Sequence, residues 1–248
     1  MKTTENTILI TGGSAGIGFE MAKLFSQNGN KVIITGRNAD RLQKAAMQLK
    51  NVTAIASDVS KEEDVSNLLS KLTKDFPDLN IVINNAGAAS VYSLGDTNTD
   101  AFGNASQEIL TNYLAIIRLN ERLLPLLKKQ KESAIINVSS IVAFAAGKTL
   151  PTYSASKAAL HSYSQVLRLT LQENTSVKVF ELMPPLVDTE FSKEIGGSNG
   201  IKPLVVAERL IEGLQKDEYE IHVGGTADLY KLFLSSPEAA LNVLNEIK

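Results

Sequence analysis

The chain has 248 residues, 44% hydrophobic and 21% charged, with a formal net charge of −2, two histidines, and neither cysteine nor tryptophan. These values fit one α/β domain with a sizeable core and exclude a disordered or fibrous chain, and the small net charge leaves no electrostatic footprint for nucleic acid. Without cysteine there is no disulfide framework, zinc ribbon or thiol nucleophile, and His161 and His222 alone cannot build a multi-histidine site, so no metal centre is expected. Chemistry is left to hydroxyls, amides, amines and carboxylates, or to a cofactor. The polar start lacks a signal-peptide core, and the longest apolar run, Ile141–Ala146, is far too short to span a membrane. A soluble cytoplasmic protein with no membrane partner is expected.

In chain order, short β-rich runs alternate with helical patterns. Thr7–Thr11 reads as a strand and Gly18–Asn28 as an amphipathic helix with Met21, Leu24 and Phe25 on one face. Lys31–Thr35 is a second strand, followed by a helix over 39–49. Val52–Ser57 is a third strand, followed by a helix over Lys61–Asp75. Asn80–Ile83 is a fourth strand, and a long helix over Gln107–Lys129 is expected to kink at Pro125. Ala134–Val138 is a fifth strand before a helix over Thr152–Asn174, and Val177–Leu182 is a sixth. A helix over Pro203–Lys216, a short strand over Tyr219–Val223 and a helical tail complete the chain. Val- and Ile-rich strands, each followed by a helix, predict a doubly wound α/β fold. It is a Rossmann-like parallel sheet of about seven strands with helices on both faces. No linker or composition shift divides the chain, so a single domain over 1–248 is expected.

The first strand runs into Thr11-Gly12-Gly13-Ser14-Ala15-Gly16-Ile17-Gly18 and then a helix. Gly12, Gly16 and Gly18 form GxxxGxG at the first βα turn: one glycine for the tight turn, one for close approach of backbone to a pyrophosphate, one for helix–strand packing. Ser14 and Ile17 belong to the same cradle, beside a helix N-terminus that favours phosphate. The overlapping GxSxG around Ser14 also matches a hydrolase nucleophile elbow, for which His161 or His222 would have to be the base. The second strand ends in Thr35-Gly36-Arg37, where an acid would bind a free ribose 2′-hydroxyl. The missing acid and the guanidinium of Arg37 favour NADP(H) over NAD(H). Asp58 and Val59, after the third strand, are candidates to receive the adenine; Asp58 could equally be a helix-capping residue.

Thr11-Gly-x3-Gly-x-Gly18, Asn84-Asn85-Ala86-Gly87, and Ser140 ahead of Tyr153-x3-Lys157 together resemble the short-chain dehydrogenase/reductase family, over essentially the whole chain and in the family's order. The stretch Met183-Pro184-Pro185-Leu186-Val187-Asp188-Thr189, with Lys157-Ala-Ala-Leu-His161-Ser before it, is similar to the DltE-type oxidoreductases. Independently of the resemblance, Tyr153 and Lys157 share a helix face at i and i+4. A nearby ammonium and an oxidised nicotinamide would bring the phenol's high pKa toward neutrality, giving acid–base chemistry without histidine or cysteine. The resemblance implies a carbonyl–alcohol oxidoreductase in which Tyr153 transfers the proton, Lys157 binds the ribose and tunes Tyr153, and Ser140 orients the substrate oxygen. Ser139 is a close competitor, and only the family spacing favours Ser140. Asn112 would hold a water in the proton relay, Asn85 would lie beside the cofactor ribose, and Val187 and Thr189 would contact carboxamide and pyrophosphate. The chain departs from the family in having Pro185 where glycine is usual, which implies a differently shaped nicotinamide loop. The resemblance implies a small carbonyl or alcohol substrate under a lid at about 185–203, and the family's habit implies a homodimer or homotetramer. A dinucleotide-binding sensor with weak catalysis is the alternative reading.

Overall fold

Runs of β-branched residues form the strands: β1 (Thr7–Thr11), β2 (Lys31–Gly36), β3 (Val52–Ala56), β4 (Leu79–Asn84), β5 (Ser133–Val138), β6 (Val177–Met183) and β7 (Glu220–His222). The helices are α1 (Gly16–Gln27), α2 (Ala39–Ala46), α3 (Glu62–Asp75), α4 (Ala101–Ile109), α5 (Ala115–Leu127), α6 (Pro151–Asn174), α7 (Pro203–Gln215), α8 (Thr226–Ser235) and α9 (Pro237–Leu244). The structure is a computed structural model describing residues 1–247. The strands make a seven-stranded sheet in the order β3-β2-β1-β4-β5-β6-β7, with every neighbouring pair parallel. All strands therefore end on one edge, and the order reverses between β1 and β4, where such sheets open a crevice.

Alternation along the strands divides the apolar residues between two layers. Ile8, Ile10, Val32, Ile34, Ile81 and Ile83 pack with Met21, Phe25, Leu210 and Leu214 of α1 and α7. Leu9, Ile33, Val82 and Ile135 face the other way, onto Val65, Leu68 and Leu72 of α3 and Leu119 and Leu123 of α5. Among the described residues no helix is long and apolar enough to cross a membrane.

Two expectations are corrected. The helix expected over 107–129 begins earlier, at Ala101, where Asp100 accepts a hydrogen bond from Gly103 N at 2.9 Å as its N-cap. It is then interrupted by a π-helical turn over Leu110–Leu114. Pro125 does not set the break; it lies inside α5 near its end, at an exposed position. The first helix also starts earlier than read, at Gly16, with the extended Ala15 as its N-cap.

Phe180 of β6 is fully buried and its ring stacks on Tyr219 at 5.2 Å. Phe180→Ala should destabilise the fold by about 3–5 kcal/mol, measured by urea unfolding.

Candidate functional site

The loop after β1 depends on glycine for two separate reasons. Gly12 and Gly16 have φ of +69° and +54°, the left-handed region that side chains disfavour. At Gly18 a Cβ would lie 2.3 Å from the Gly12 carbonyl oxygen, so only glycine lets α1 approach the strand this closely. Ala15 caps α1 without a side-chain hydrogen bond, and the first turn holds no acidic residue. The first-turn N–H groups and the helix dipole thus face a glycine-lined concavity with no competing carboxylate. A Cβ on Gly16 would meet Thr189 Cγ2 at 3.1 Å, which places Thr189 against the mouth of this cradle. Ser14 lies in the same loop, but neither histidine serves it: His161 is bonded to Glu181 and His222 stacks on Tyr230. The nucleophile-elbow reading has no base.

The asparagines divide their work. Asn84 donates to Asn120 Oδ1 at 2.9 Å and Asn137 Oδ1 at 2.8 Å, tying β4 to α5 and β5. Asn85 donates to the carbonyls of Thr11 and Gly12 at 2.9 and 3.2 Å, so its amide braces the glycine turn. Asp58 accepts from the N–H and hydroxyl of Ser60 at 3.0 and 2.7 Å, a local turn rather than the cap of α3, whose N-cap is Lys61. Val59 borders a small hollow shared with Ala86 and Thr111.

Arg37 is exposed just beyond β2. Beside it an open cleft of about 370 Å³ is lined by Ser14, Asn38, Asp40, Arg41 and Lys44, among others. Arg41 and Lys44 were not singled out from the sequence, although Arg37, Arg41 and Lys44 recur at helical spacing; their approach to Ser14 is a product of the fold. Arg41 Nη2 also donates to Glu190 Oε2 at 2.6 Å, linking α2 to the segment after β6.

Across the crevice, Asn112 is fully buried in the π-turn. Its Oδ1 accepts from Ala88 N at 2.8 Å, while Nδ2 donates to Ala88 O at 2.8 Å and Ser156 Oγ at 2.9 Å. One amide thereby clamps the 86–90 segment onto α6. The two serines after β5 point to different partners. Ser139 donates a short hydrogen bond to Glu181, whereas Ser140 Oγ accepts from Val142 N at 3.3 Å and lies near enough to Tyr153 to lower its proton affinity. Burial outweighs that effect, with Glu108 adding to it, and pushes the Tyr153 phenol up to about 12; this corrects the expected shift toward neutrality, because in the protein alone the cost of burying a phenolate is the largest influence. Lys157 Nζ lies 5.5 Å from the Tyr153 ring centre and donates to Val138 O at 2.9 Å. Burial pushes its ammonium down to about 8, against the pull of Glu181.

After β6, the chain folds over this group. Thr189 caps a 3-10 helix over Glu190–Ile195 by accepting from Ser192 N at 3.3 Å, and a second short turn covers Gly197–Asn199. Val187 bridges to Ile201 as the chain returns. Phe191 brings its ring centre to 6.2 Å from that of Tyr153.

A doubly wound parallel sheet with a glycine cradle at its switch point and a buried Ser–Tyr–Lys group facing it belongs to the Rossmann-like oxidoreductases. A family model described as short chain dehydrogenase matches residues 6–199, and the chain belongs to that family of oxidoreductase enzymes. It is 38% identical over 226 residues to the uncharacterized oxidoreductase DltE of Bacillus subtilis, covering 89% of each chain. It is 32% identical over 220 residues to the uncharacterized oxidoreductase SAR2567 of Staphylococcus aureus, covering 87% of this chain and 94% of that one. Its fold superposes with a TM-score of 0.87 on a short chain dehydrogenase of Burkholderia cenocepacia in complex with NADP, at 23% identity over 98% and 99% of the two chains. The TM-score is also 0.87 on a Burkholderia phymatum family member in complex with NAD, at 18% identity over 95% and 96%.

Lys157 holds its proton less tightly in the folded chain, at about 8, than in the unfolded chain, at about 10.4. Between those values the unfolded state binds more protons, so Lys157 makes folding stability rise with pH across that window. Denaturant titrations from pH 8 to 10 should show this rise in the wild type, and the difference between wild type and Lys157→Met should track it.

Proposed function

We propose that this enzyme interconverts a carbonyl and an alcohol on a small substrate, using NADP(H) in preference to NAD(H). The observation that carries the reading is the buried contact group of Ser140, Tyr153 and Lys157 beside the glycine cradle. The residues fit a dinucleotide: a Cβ on Gly16 would close the mouth of the cradle against Thr189, Gly18 keeps α1 close to the strand, and the uncapped start of α1 suits a pyrophosphate. Ser14, Ile17, Gly12 and Thr189 would surround the phosphates, Val187 the carboxamide, and Asp58, Val59 and Asn85 the adenosine side. When bound, the nicotinamide supplies or accepts the hydride.

The remaining chemistry belongs to the chain. At neutral pH Tyr153 is a protonated phenol, available to donate to the carbonyl oxygen as charge develops there, while Ser140 donates a second hydrogen bond to the same oxygen. Lys157 stabilises the phenolate left behind, and an ammonium near 8 exchanges its proton readily. Asn112 braces the wall beside Lys157, next to Gly87, where protons pass to water. The 185–203 segment closes the site, with Phe191 as an apolar wall. Phe102, Leu114, Val166 and Leu169 are exposed on α4, the π-turn and α6, and support a homo-oligomer built through these helices.

Arg37, Arg41 and Lys44 support the NADP(H) preference, since a guanidinium fork matches a 2′-phosphate and β2 ends in Gly36-Arg37 rather than in an acid. Arg37→Ala combined with Arg41→Ala should raise the Kd for NADPH about tenfold or more with little change for NADH, by fluorescence titration. An equal loss for both cofactors would sink the preference.

Turnover is tested with NADPH and a panel of aldehydes, ketones and quinones. Tyr153→Phe should bind NADPH as the wild type does and lose about 10²–10⁴-fold in rate. Equal rates in the two proteins refute the mechanism, and NADPH binding without oxidation of any panel member identifies a sensor instead.

A further inference from the structure

Behind Lys157 lies a second buried polar cluster that the proposed reaction does not use. Glu181, in the middle of β6, is fully buried, where a carboxylate needs partners. Its Oε2 accepts from His161 Nδ1 at 2.9 Å, and its Oε1 accepts a short hydrogen bond from the Ser139 hydroxyl. His161 is one turn beyond Lys157 on the same face of α6, and Ser139 immediately precedes Ser140. A single carboxylate therefore touches the neighbours of two reacting residues. Its field reaches Lys157 as well, where it favours the ammonium that burial disfavours.

We propose that Glu181 is the buried counter-charge of the Lys157 ammonium, and that His161, by sharing that carboxylate, sets how much of its charge Lys157 experiences. The pair consists of positioning residues, and their role rests on the assignment of Tyr153 and Lys157 to proton transfer. A hydrogen bond or a positive charge on His161 draws on the carboxylate and weakens its hold on Lys157. A bare carboxylate would hold the Lys157 proton to higher pH. His161 can titrate in place. Its Nδ1 donates to Glu181 in either state, and its Nε2 lies 3.2 Å from Gln165 Nε2, an amide that donates to a neutral ring and, turned over, accepts from a protonated one.

The surrounding charges leave this exchange intact. On α6 the ionisable neighbours are Tyr153, Lys157 and Arg168; Arg168 is paired with Glu220 of β7 at 2.6 Å, so their opposed effects on His161 offset one another. His222 of β7 also feels Glu181, but burial lowers its pKa and keeps it neutral near pH 7. Glu108 of α4 acts on Tyr153. β5, which lies between Lys157 and the rest of the sheet, carries no charged side chain.

The test uses the full chain with carbon-labelled lysine, following the Lys157 Cε resonance by NMR, assigned as the signal that Lys157→Met removes. Glu181→Gln keeps the side-chain size, removes the charge and turns one acceptor into a donor, and should lower the Lys157 midpoint by about half a pH unit or more. His161→Leu, which fills the space but removes the donor, should move it upward. The alkaline limb of NADPH-dependent carbonyl reduction should follow each midpoint in direction. Midpoints that stay put, or that move the same way in both variants, overturn the proposal. So does a rate profile that ignores a shifted midpoint. A wild-type protein that reduces no carbonyl refutes the proposed reaction instead, and the Lys157 titration then judges the counter-charge alone. Should Glu181→Gln not fold, the direction of the His161→Leu shift decides.

Discussion

Burying the Lys157 ammonium is the constraint around which this site is arranged. A desolvated cation needs hydrogen-bond acceptors and negative charge nearby, and the fold supplies both: the Val138 carbonyl at the end of β5 and the Glu181 carboxylate on β6. Meeting that need brings α6 onto the carboxyl ends of β5 and β6. Tyr153, one turn earlier, is thereby held against Ser140, which leaves β5 two residues after Val138. The Ser140–Tyr153–Lys157 group is thus a by-product of how one buried charge is satisfied.

The opposite wall of the crevice is organised by close packing. Gly18 lets α1 sit on the Gly12 carbonyl, and Asn85 reaches from β4 to hold that same turn. Because the sheet reverses order between β1 and β4, the phosphate-type cradle and the Asn112-clamped segment after β4 border one opening. Pro185 fits this frame without contradicting it. The chain after β6 makes no demand for a left-handed residue at that position, and it returns through the Val187–Ile201 bridge to lay Thr189 over the cradle.

Much of this was legible in order. The strands were readable because a parallel sheet buried on both faces demands unbroken Val- and Ile-rich runs. The glycine turn was readable because its backbone tolerates few other residues. The early start of α4 was missed because Gly103, Asn104 and Ser106 dilute the apolar period, leaving Asp100 as its one local signal. The π-turn had no local signal: it exists where Asn112 must reach Ala88 and Ser156, which come from other parts of the chain. A glutamate inside the strand Val-Lys-Val-Phe-Glu-Leu-Met was a visible anomaly, but its partners were not.

By itself, then, the sequence determined the alternation of strand and helix, the glycine cradle, and the i,i+4 pairing of Tyr153 with Lys157, since each follows from backbone geometry within a few residues. It also placed Ser140 among two candidates. Only the tertiary structure decided that Ser139 is held by Glu181, that Arg41 and Lys44 share a cleft with Ser14, and that Glu181 and His161 pair beside Lys157. These are contacts between residues far apart in sequence, and their energies depend on burial, which no local pattern specifies.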